Sequence, residues 1–227
     1  MFPPASHITP GVDGLVAVGG DLAPETLVEA YRKGIFPWDG RWPIPWYSPD
    51  PRLILEPQHF HVSKSLRKLQ KQGRMEIRYD TAFADVMRAC AGKKRRGQRG
   101  TWIRGGIFDG YGALHTAGVA HSVETWEDGA LVGGLYGLSM GSAFFGESMF
   151  TDRPDASKLA LMHLCARLTA AGGTLVDCQQ DTPHLRSLGA FNVTRADYMV
   201  RLDAALASPD IWPNLPAIPS SESGADD

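Results

Sequence analysis

The hydrophobic positions along this chain change period several times, and each change marks an element. RMEIRYD (Arg74 to Asp80) alternates apolar and polar residues as a half-buried strand does, and TAFADVMRACA after it spaces its apolar residues as a helix does. GGIFDGYGALHTAG reads as a second helix. A meander follows: VAHSVETW, a turn at Asp128-Gly129, ALVGGLYGLSM, a turn at Gly141, and SAFFGESMF. The Asp-Gly pair between alternating runs is a strong hairpin signal. A long helix is expected from Asp155 to about Ala171, ending at Gly172-Gly173, then a strand TLVDCQ, a short helix from TPHLRSLG and a last strand around FNVTRADYMV. Upstream, APETLVEAYRKG reads as a short helix stopped at Gly34. The segment IFPWDGRWPIPWYSPDPR, with three tryptophans, a tyrosine and five prolines in eighteen residues, predicts neither strand nor helix. It is rigid and aromatic, suited either to packing between subdomains or to a ligand platform. No internal repeat is present.

These elements predict an α+β chain: a small N-terminal domain over 1–52, a second domain over 53–215 with a mixed sheet flanked by helices, and a disordered acidic tail over 216–227. The order strand, two helices, three-stranded meander, helix, strand, helix, strand resembles the acyltransferase fold of the GNAT type. A fold of that kind hosts many activities, so the chemistry has to come from particular residues.

Composition excludes several classes. The 227 residues suffice for a sizeable core, and 43% hydrophobic with 21% charged residues is ordinary for a soluble globular protein. Cys90, Cys165 and Cys178 make no paired framework and read as reduced thiols. The start MFPPASHITP has neither the basic flank nor the apolar run of a signal peptide, and the most apolar window, Ala130 to Phe150, is interrupted by five glycines, three serines and Glu147. A cytoplasmic protein, expected to be a monomer without membrane contact, fits these features. Charge is uneven. His61 to Arg104 holds 13 Lys and Arg against 3 acids, an excess of ten cations in a chain of net charge −2, which leaves −12 for the remainder. KKRRGQR alone carries five cations in seven residues. Such a cluster is either a solvated loop or a footprint for nucleic-acid phosphates.

The motifs GLVAVGGDL, AYRKGIFPW, WYSPDPR, FHVSKSLRK, TWI, AHSVETW, LVGGLYG, FFGESMF, ASK, DCQ and HLRSLGA follow one another in register from about Gly14 to Tyr198. In that order they resemble the leucyl/phenylalanyl-tRNA–protein transferase family. The resemblance implies an aminoacyltransferase whose partners are leucyl- and phenylalanyl-tRNA as donors and proteins beginning with Arg or Lys as acceptors, marked for degradation by the added residue. Recognition of an aminoacyl-tRNA end needs cations for phosphates, aromatic faces for an unstacked base and an apolar pocket for the amino-acid side chain. The chain offers Lys64, Arg67 and Lys68 on SKSLRK and the run Lys93, Lys94, Arg95 and Arg96. The resemblance places Tyr31, Trp38, Trp102 and Tyr111 around the terminal adenosine, and Leu135, Phe144, Leu161, Leu164 and Val176 around the donor side chain.

Two polar features stand in apolar strands. Asp177 and Gln179, at i and i+2 in VDCQ, would share a strand face and must satisfy each other or a ligand. The resemblance makes them catalytic, with Asp177 orienting the Gln179 amide near the attacking amine. A neutral amide is a weak base, and a protein α-amine, with a reference pKa of about 7.7–8.0, is already partly neutral near pH 7, so positioning would supply much of the acceleration. Glu147, set in FFGESMF among three phenylalanines and a methionine, needs a partner or must lose its charge. It is expected to hold a substrate cation, either the donor's α-ammonium or the acceptor's side chain. The competing reading is an internal salt bridge to Lys158 or Arg153.

No cofactor is expected. An acetyl-CoA-dependent N-acetyltransferase would need a glycine-rich phosphate loop before the long helix, where this chain reads FTDRPDAS. A non-catalytic RNA-binding module would leave Asp177, Gln179 and Glu147 without a role. His115 and His121 lack a visible third ligand, so no metal site is expected.

Overall fold

The structure, a computed structural model, describes residue 2 and residues 14–93 and 101–215. The aromatic, proline-rich start is not devoid of strands. β1 (Leu15–Val18), β2 (Phe36–Pro37) and β3 (Pro45–Tyr47) form a small antiparallel sheet in the order β1-β3-β2. The short β2 and β3 escape periodicity because two or three residues are too few to show repeated alternation. Between β1 and β2 runs α1 (Pro24–Arg32), with proline in its first turn and its end at Lys33, just before the expected Gly34.

The main sheet has seven strands in the order β10-β4-β9-β8-β7-β6-β5. They are β4 (Arg52–Leu55), β5 (Glu76–Tyr79), β6 (Ala120–Glu127), β7 (Ala130–Met140), β8 (Ala143–Thr151), β9 (Leu175–Gln179) and β10 (Phe191–Val193). Neighbours pair antiparallel except β8 with β9, which run parallel, so the sheet is mixed. Asp128 and Gly129 both take positive φ, 51° and 74°, the tight turn their side chains predict between β6 and β7. From β5 to β10 the elements follow the order on which the GNAT-type expectation rested, with α3 (Phe83–Gly92), α4 (Gly106–Thr116), α5 (Ala156–Ala170) and α6 (Pro183–Arg186) in the expected places. β4, at the start of the second predicted domain, is an addition to that expectation.

Two helices were not legible as such. SKSLRKLQKQG forms α2 (Lys64–Gln72), started by the Ser63 hydroxyl, which accepts from the Leu66 amide, and closed by Gly73 at φ 62°. The predicted last strand FNVTRADYMV is a strand for three residues only. Thr194 then caps α7 (Arg195–Leu206) by accepting from the Asp197 amide. The cue was present in the T-x-x-D spacing, a capping signature that outweighed the apparent alternation.

The core lies on both faces of the main sheet. On one side, α1, α3, α4 and α7 bury Leu27, Tyr31, Val86, Ile107, Tyr111 and Tyr198 in one continuous cluster with Tyr136 and Phe145 of the sheet. On the other, α5 packs Leu161, Leu164 and Leu168 against Leu135, Phe144 and Val176. The N-terminal sheet and α1 thus share buried side chains with the main sheet, and this brings Trp38 and Arg52 to the region described next. No helix among the described residues is long and apolar enough to cross a membrane.

Candidate active site

A cavity of about 600 Å³ opens where β8 and β9 lie side by side. Its walls come from the aromatic N-terminal segment (Trp38, Asp39), the stretch before α4 (Trp102, Arg104), the sheet (Leu135, Phe144, Glu147, Val176, Gln179) and α5 (Leu161). The fold therefore joins in one place eight of the residues singled out in the sequence.

Trp38 and Trp102 stand on one wall because their segments are pinned together. The Gly40 amide donates to the Trp102 carbonyl at 3.3 Å, and Arg104 pairs with Asp39. The approach is so close that a Cβ on Gly40 would fall 1.8 Å from the Arg104 carbonyl oxygen, which only glycine avoids. Tyr31 and Tyr111 are placed differently from the sequence expectation. Both are fully buried on inward faces of α1 and α4 and do not line the cavity, so neither ring can stack on a bound base. Their hydroxyls meet at 2.5 Å, and Tyr111 donates on to Glu147 Oε2 at 3.0 Å.

Glu147 owes its direction to a bulge. Tyr136 pairs with Ser148 and Gly137 with Gly146, leaving Glu147 as the extra residue on β8. Its other oxygen, Oε1, accepts from Gln179 Nε2 at 2.8 Å. Lys158 pairs instead with Asp155 and Arg153 with Glu127, so the internal salt bridge weighed from sequence is not formed. Burial pushes the Glu147 carboxyl up to about 7, against the stabilising hydrogen bonds of Tyr31, Tyr111 and Gln179.

Asp177 and Gln179 do not share a strand face as simple alternation predicts. Leu53 pairs with Gln179 and Ile54 with Asp177, so Cys178 is a second bulge, and Gln179 takes φ 61°, a left-handed value uncommon outside glycine. Asp177 consequently meets Gln179 through the main chain, its Oδ1 accepting the Gln179 amide N–H at 3.0 Å. The Gln179 side chain turns to Glu147 and the cavity. Asp177 is fully buried and lies behind the cavity wall. It receives Arg52 in bidentate fashion, Nε to Oδ1 at 2.8 Å and Nη2 to Oδ2 at 2.7 Å, and Tyr198 OH at 2.9 Å. Arg52 also donates to the Gly34 carbonyl at 3.2 Å and lies over the rings of Phe36 and Tyr198. Sequence reasoning missed Arg52 and Tyr198. The available signal was one arginine opening the otherwise apolar run RLIL.

The expected side-chain pocket is mostly assembled: Leu135, Phe144, Leu161 and Val176 line the cavity. Leu164 does not. It is wholly buried on α5 among Leu161, Leu168 and Val176. Met149, Cys178, Thr182 and His184 are among the lining residues that were not anticipated. Burial pushes the Cys178 thiol well up, which makes it a poor nucleophile at neutral pH.

Lys64, Arg67 and Lys68, at i, i+3 and i+4, share one exposed face of α2 with Lys71, around a shallow groove. Lys93 pairs with Asp152, and Lys94, Arg95 and Arg96 lie outside the described residues. The pair His115 and His121 does acquire a third neighbour, Asp80, through the pairing of β5 with β6, a register that spacing could not reveal. All three are engaged in hydrogen bonds: Asp80 Oδ2 with His121 Nδ1 at 2.8 Å, His121 Nε2 with the Gly118 carbonyl at 3.1 Å, and His115 Nδ1 with the Ala120 carbonyl at 2.8 Å.

The family model for leucyl/phenylalanyl-tRNA protein transferase matches residues 54–203, and that for the N-terminal domain of the same family matches 20–50. A leucyl/phenylalanyl-tRNA–protein transferase of an Anaeromyxobacter species is 54% identical over 200 residues, 88% of this chain and 86% of that one. One from Thiobacillus denitrificans is 50% identical over 219 residues, 96% of this chain and 92% of that one. Among solved structures, a GCN5-related N-acetyltransferase from Kribbella flavida aligns with a TM-score of 0.39 and 16% identity, over 75% of this chain and 60% of that one. The fold described above rests on its own topology and not on that likeness. With family models matching residues 20–50 and 54–203 and relatives 50–54% identical over most of the chain, the chain belongs to the leucyl/phenylalanyl-tRNA–protein transferase family, a family of transferases.

Proposed function

We propose that this protein moves leucine or phenylalanine from aminoacyl-tRNA to the N-terminal α-amine of proteins that begin with Arg or Lys, and that the added residue marks them for degradation. The observation that carries the reading is the single cavity that joins two tryptophans, an apolar pocket and the Glu147–Gln179 pair. In this reading the terminal adenine stacks on Trp38 and Trp102, and the donor side chain enters between Leu135, Phe144, Leu161 and Val176. Stacking on aromatic faces suits a base that is already unpaired at a tRNA end. The exposed cations of α2 take up phosphates of the tRNA body.

The chemistry asked of the protein is modest, because the donor is an activated ester. The amine has to be held against the ester carbonyl with its lone pair aimed at carbon. Gln179 suits that task. Its amide N–H is committed to Glu147, which turns its carbonyl oxygen toward an incoming N–H. Asp177 acts through the Gln179 main chain, accepting its amide N–H in the left-handed conformation, and Arg52 holds Asp177 in place. Glu147 supplies negative charge to the cationic acceptor.

The test is transfer of labelled leucine from leucyl-tRNA to a peptide beginning with Arg, by the purified chain without added CoA. Label in the peptide amide is expected, with little transfer when the first residue is Glu. Failure to acylate either peptide would overturn the proposal.

A further inference from the structure

We propose that Glu147 takes the proton from the attacking α-ammonium, and that the buried hydroxyl pair of Tyr31 and Tyr111 positions its carboxylate for that step. The inference rests on the reading of the reaction given above, and it gives Tyr31 and Tyr111 a role that does not need them to touch substrate.

Geometry supports it first. Glu147 lines the cavity, whereas Asp177 lies behind the wall with both oxygens committed to Arg52, Tyr198 and the Gln179 amide. The Glu147 carboxylate is held from two sides, by Gln179 on Oε1 and by Tyr111 on Oε2, and Tyr31 backs Tyr111 at 2.5 Å. Both tyrosines are fully buried, and burial raises them well above the usual phenol range, so they remain neutral donors. The other groups facing this cluster are Tyr136, edge-on to Tyr111, and Asp177, whose negative charge is shared with Arg52. A carboxyl titrating at about 7 beside a bound amine is matched to accept its proton near neutral pH. His184, also on the cavity wall, is lowered by burial and by Lys158 and is the rival acceptor.

In the step, one ammonium N–H bond breaks and its proton goes to the Glu147 carboxylate. The freed lone pair forms the C–N bond at the ester carbonyl. When the adduct collapses, the C–O bond to the ribose breaks, and the ribose oxygen leaves with the bonding pair and takes a second N–H proton. The third hydrogen stays on the new amide, and Glu147 returns its proton to water.

Two measurements test this. The first is the pH dependence of single-turnover leucine transfer to an Arg-starting peptide. Tyr111→Phe removes a donor that favours the charged carboxylate, so the acidic limb should move to higher pH by about one unit. Tyr31→Phe should shift it in the same direction, and His184→Gln should leave the limb where it stands in the wild type. A peptide whose α-amine has a lower pKa separates the enzyme limb from the acceptor's own titration, because only the latter follows the peptide. The second is ligand-free: the carboxyl of Glu147, observed by NMR in protein labelled with ¹³C-glutamate and assigned by its loss in Glu147→Gln, should titrate near 7 and move up in Tyr111→Phe. A limb and a titration unmoved in both tyrosine variants, or a limb that moves only with His184→Gln, would overturn the inference. Absence of any transfer by the wild type would instead sink the proposed function.

Discussion

The side-chain amide of Gln179 donates to Glu147 across the parallel pairing of β8 and β9, at 2.8 Å. Each residue sits at or just after a bulge, and each bulge turns a side chain that regular pleating would have sent elsewhere. The bond joins a cavity-lining carboxylate to an amide whose backbone is strained. A pair assembled this way is sensitive to charge and to register, and the following outcomes are expected.

Glu147→Gln should stabilise the fold above neutral pH while depressing transfer. The folded carboxyl is raised from 4.5 to about 7, so its favourable contribution is complete below the unfolded value and is lost as pH rises through about 7. Removing the ionisable group removes that loss. Thermal unfolding at pH 8 should show the variant more stable by about 1–3 kcal/mol, with the difference vanishing near pH 4.5. A variant less stable at pH 8 would contradict the burial argument.

Asp177→Asn should destabilise the protein by about 3–5 kcal/mol, because it leaves the Arg52 guanidinium buried without its counter-charge. The double variant Arg52→Met with Asp177→Leu should be less destabilised than the two single changes added together. Urea unfolding of the four proteins gives the coupling. Transfer per folded molecule should fall in Asp177→Asn, since the Gln179 main chain loses its anchor.

Leu161→Ala and Leu164→Ala separate the cavity from the core around it. Leu161 lines the cavity and should change the ratio of leucine to phenylalanine transferred. Leu164 is sealed within the core, so its truncation should cost about 2–5 kcal/mol of stability and leave that ratio alone. A changed donor ratio in Leu164→Ala would extend the pocket beyond its present walls.

Replacing Trp38 or Trp102 by Ala should raise KM for aminoacyl-tRNA with little effect on unfolding. Loss of one stacking face is worth about 1–3 kcal/mol, or roughly five- to 150-fold in affinity. Replacing both by Phe should retain most of the binding. Equal KM values in wild type and both alanine variants would remove the tryptophans from recognition.

Neutralising Lys64, Arg67 and Lys68 together should weaken binding of charged and uncharged tRNA alike. The salt dependence should flatten by roughly 0.7–0.9 log units for each lost phosphate contact. An unchanged slope, measured by filter binding across salt, would make this face of α2 an ordinary solvated surface.

Much of this molecule is legible in local pattern. Alternation and turn chemistry delimit β6, β7 and β8, and the Asp128-Gly129 turn follows from two residues that tolerate positive φ. The acid among phenylalanines at 144–150 identifies Glu147 without any structure, because an apolar strand gives a carboxylate no reason to be there. Tertiary structure decided what that acid meets. Arg52 reaches Asp177 across 125 residues of sequence, and Tyr31 reaches Tyr111 across 80. Periodicity reports which face of an element is apolar, and for Tyr31 and Tyr111 that face is the core and not the cavity. It does not report which distant element lies against that face. Nor can it locate a bulge, which shifts one strand by a single residue and so reverses the direction of a side chain such as Glu147. The candidate site depends on two such shifts and on the buried Arg52–Asp177 pair, each set by strand register and helix packing rather than by neighbours in sequence.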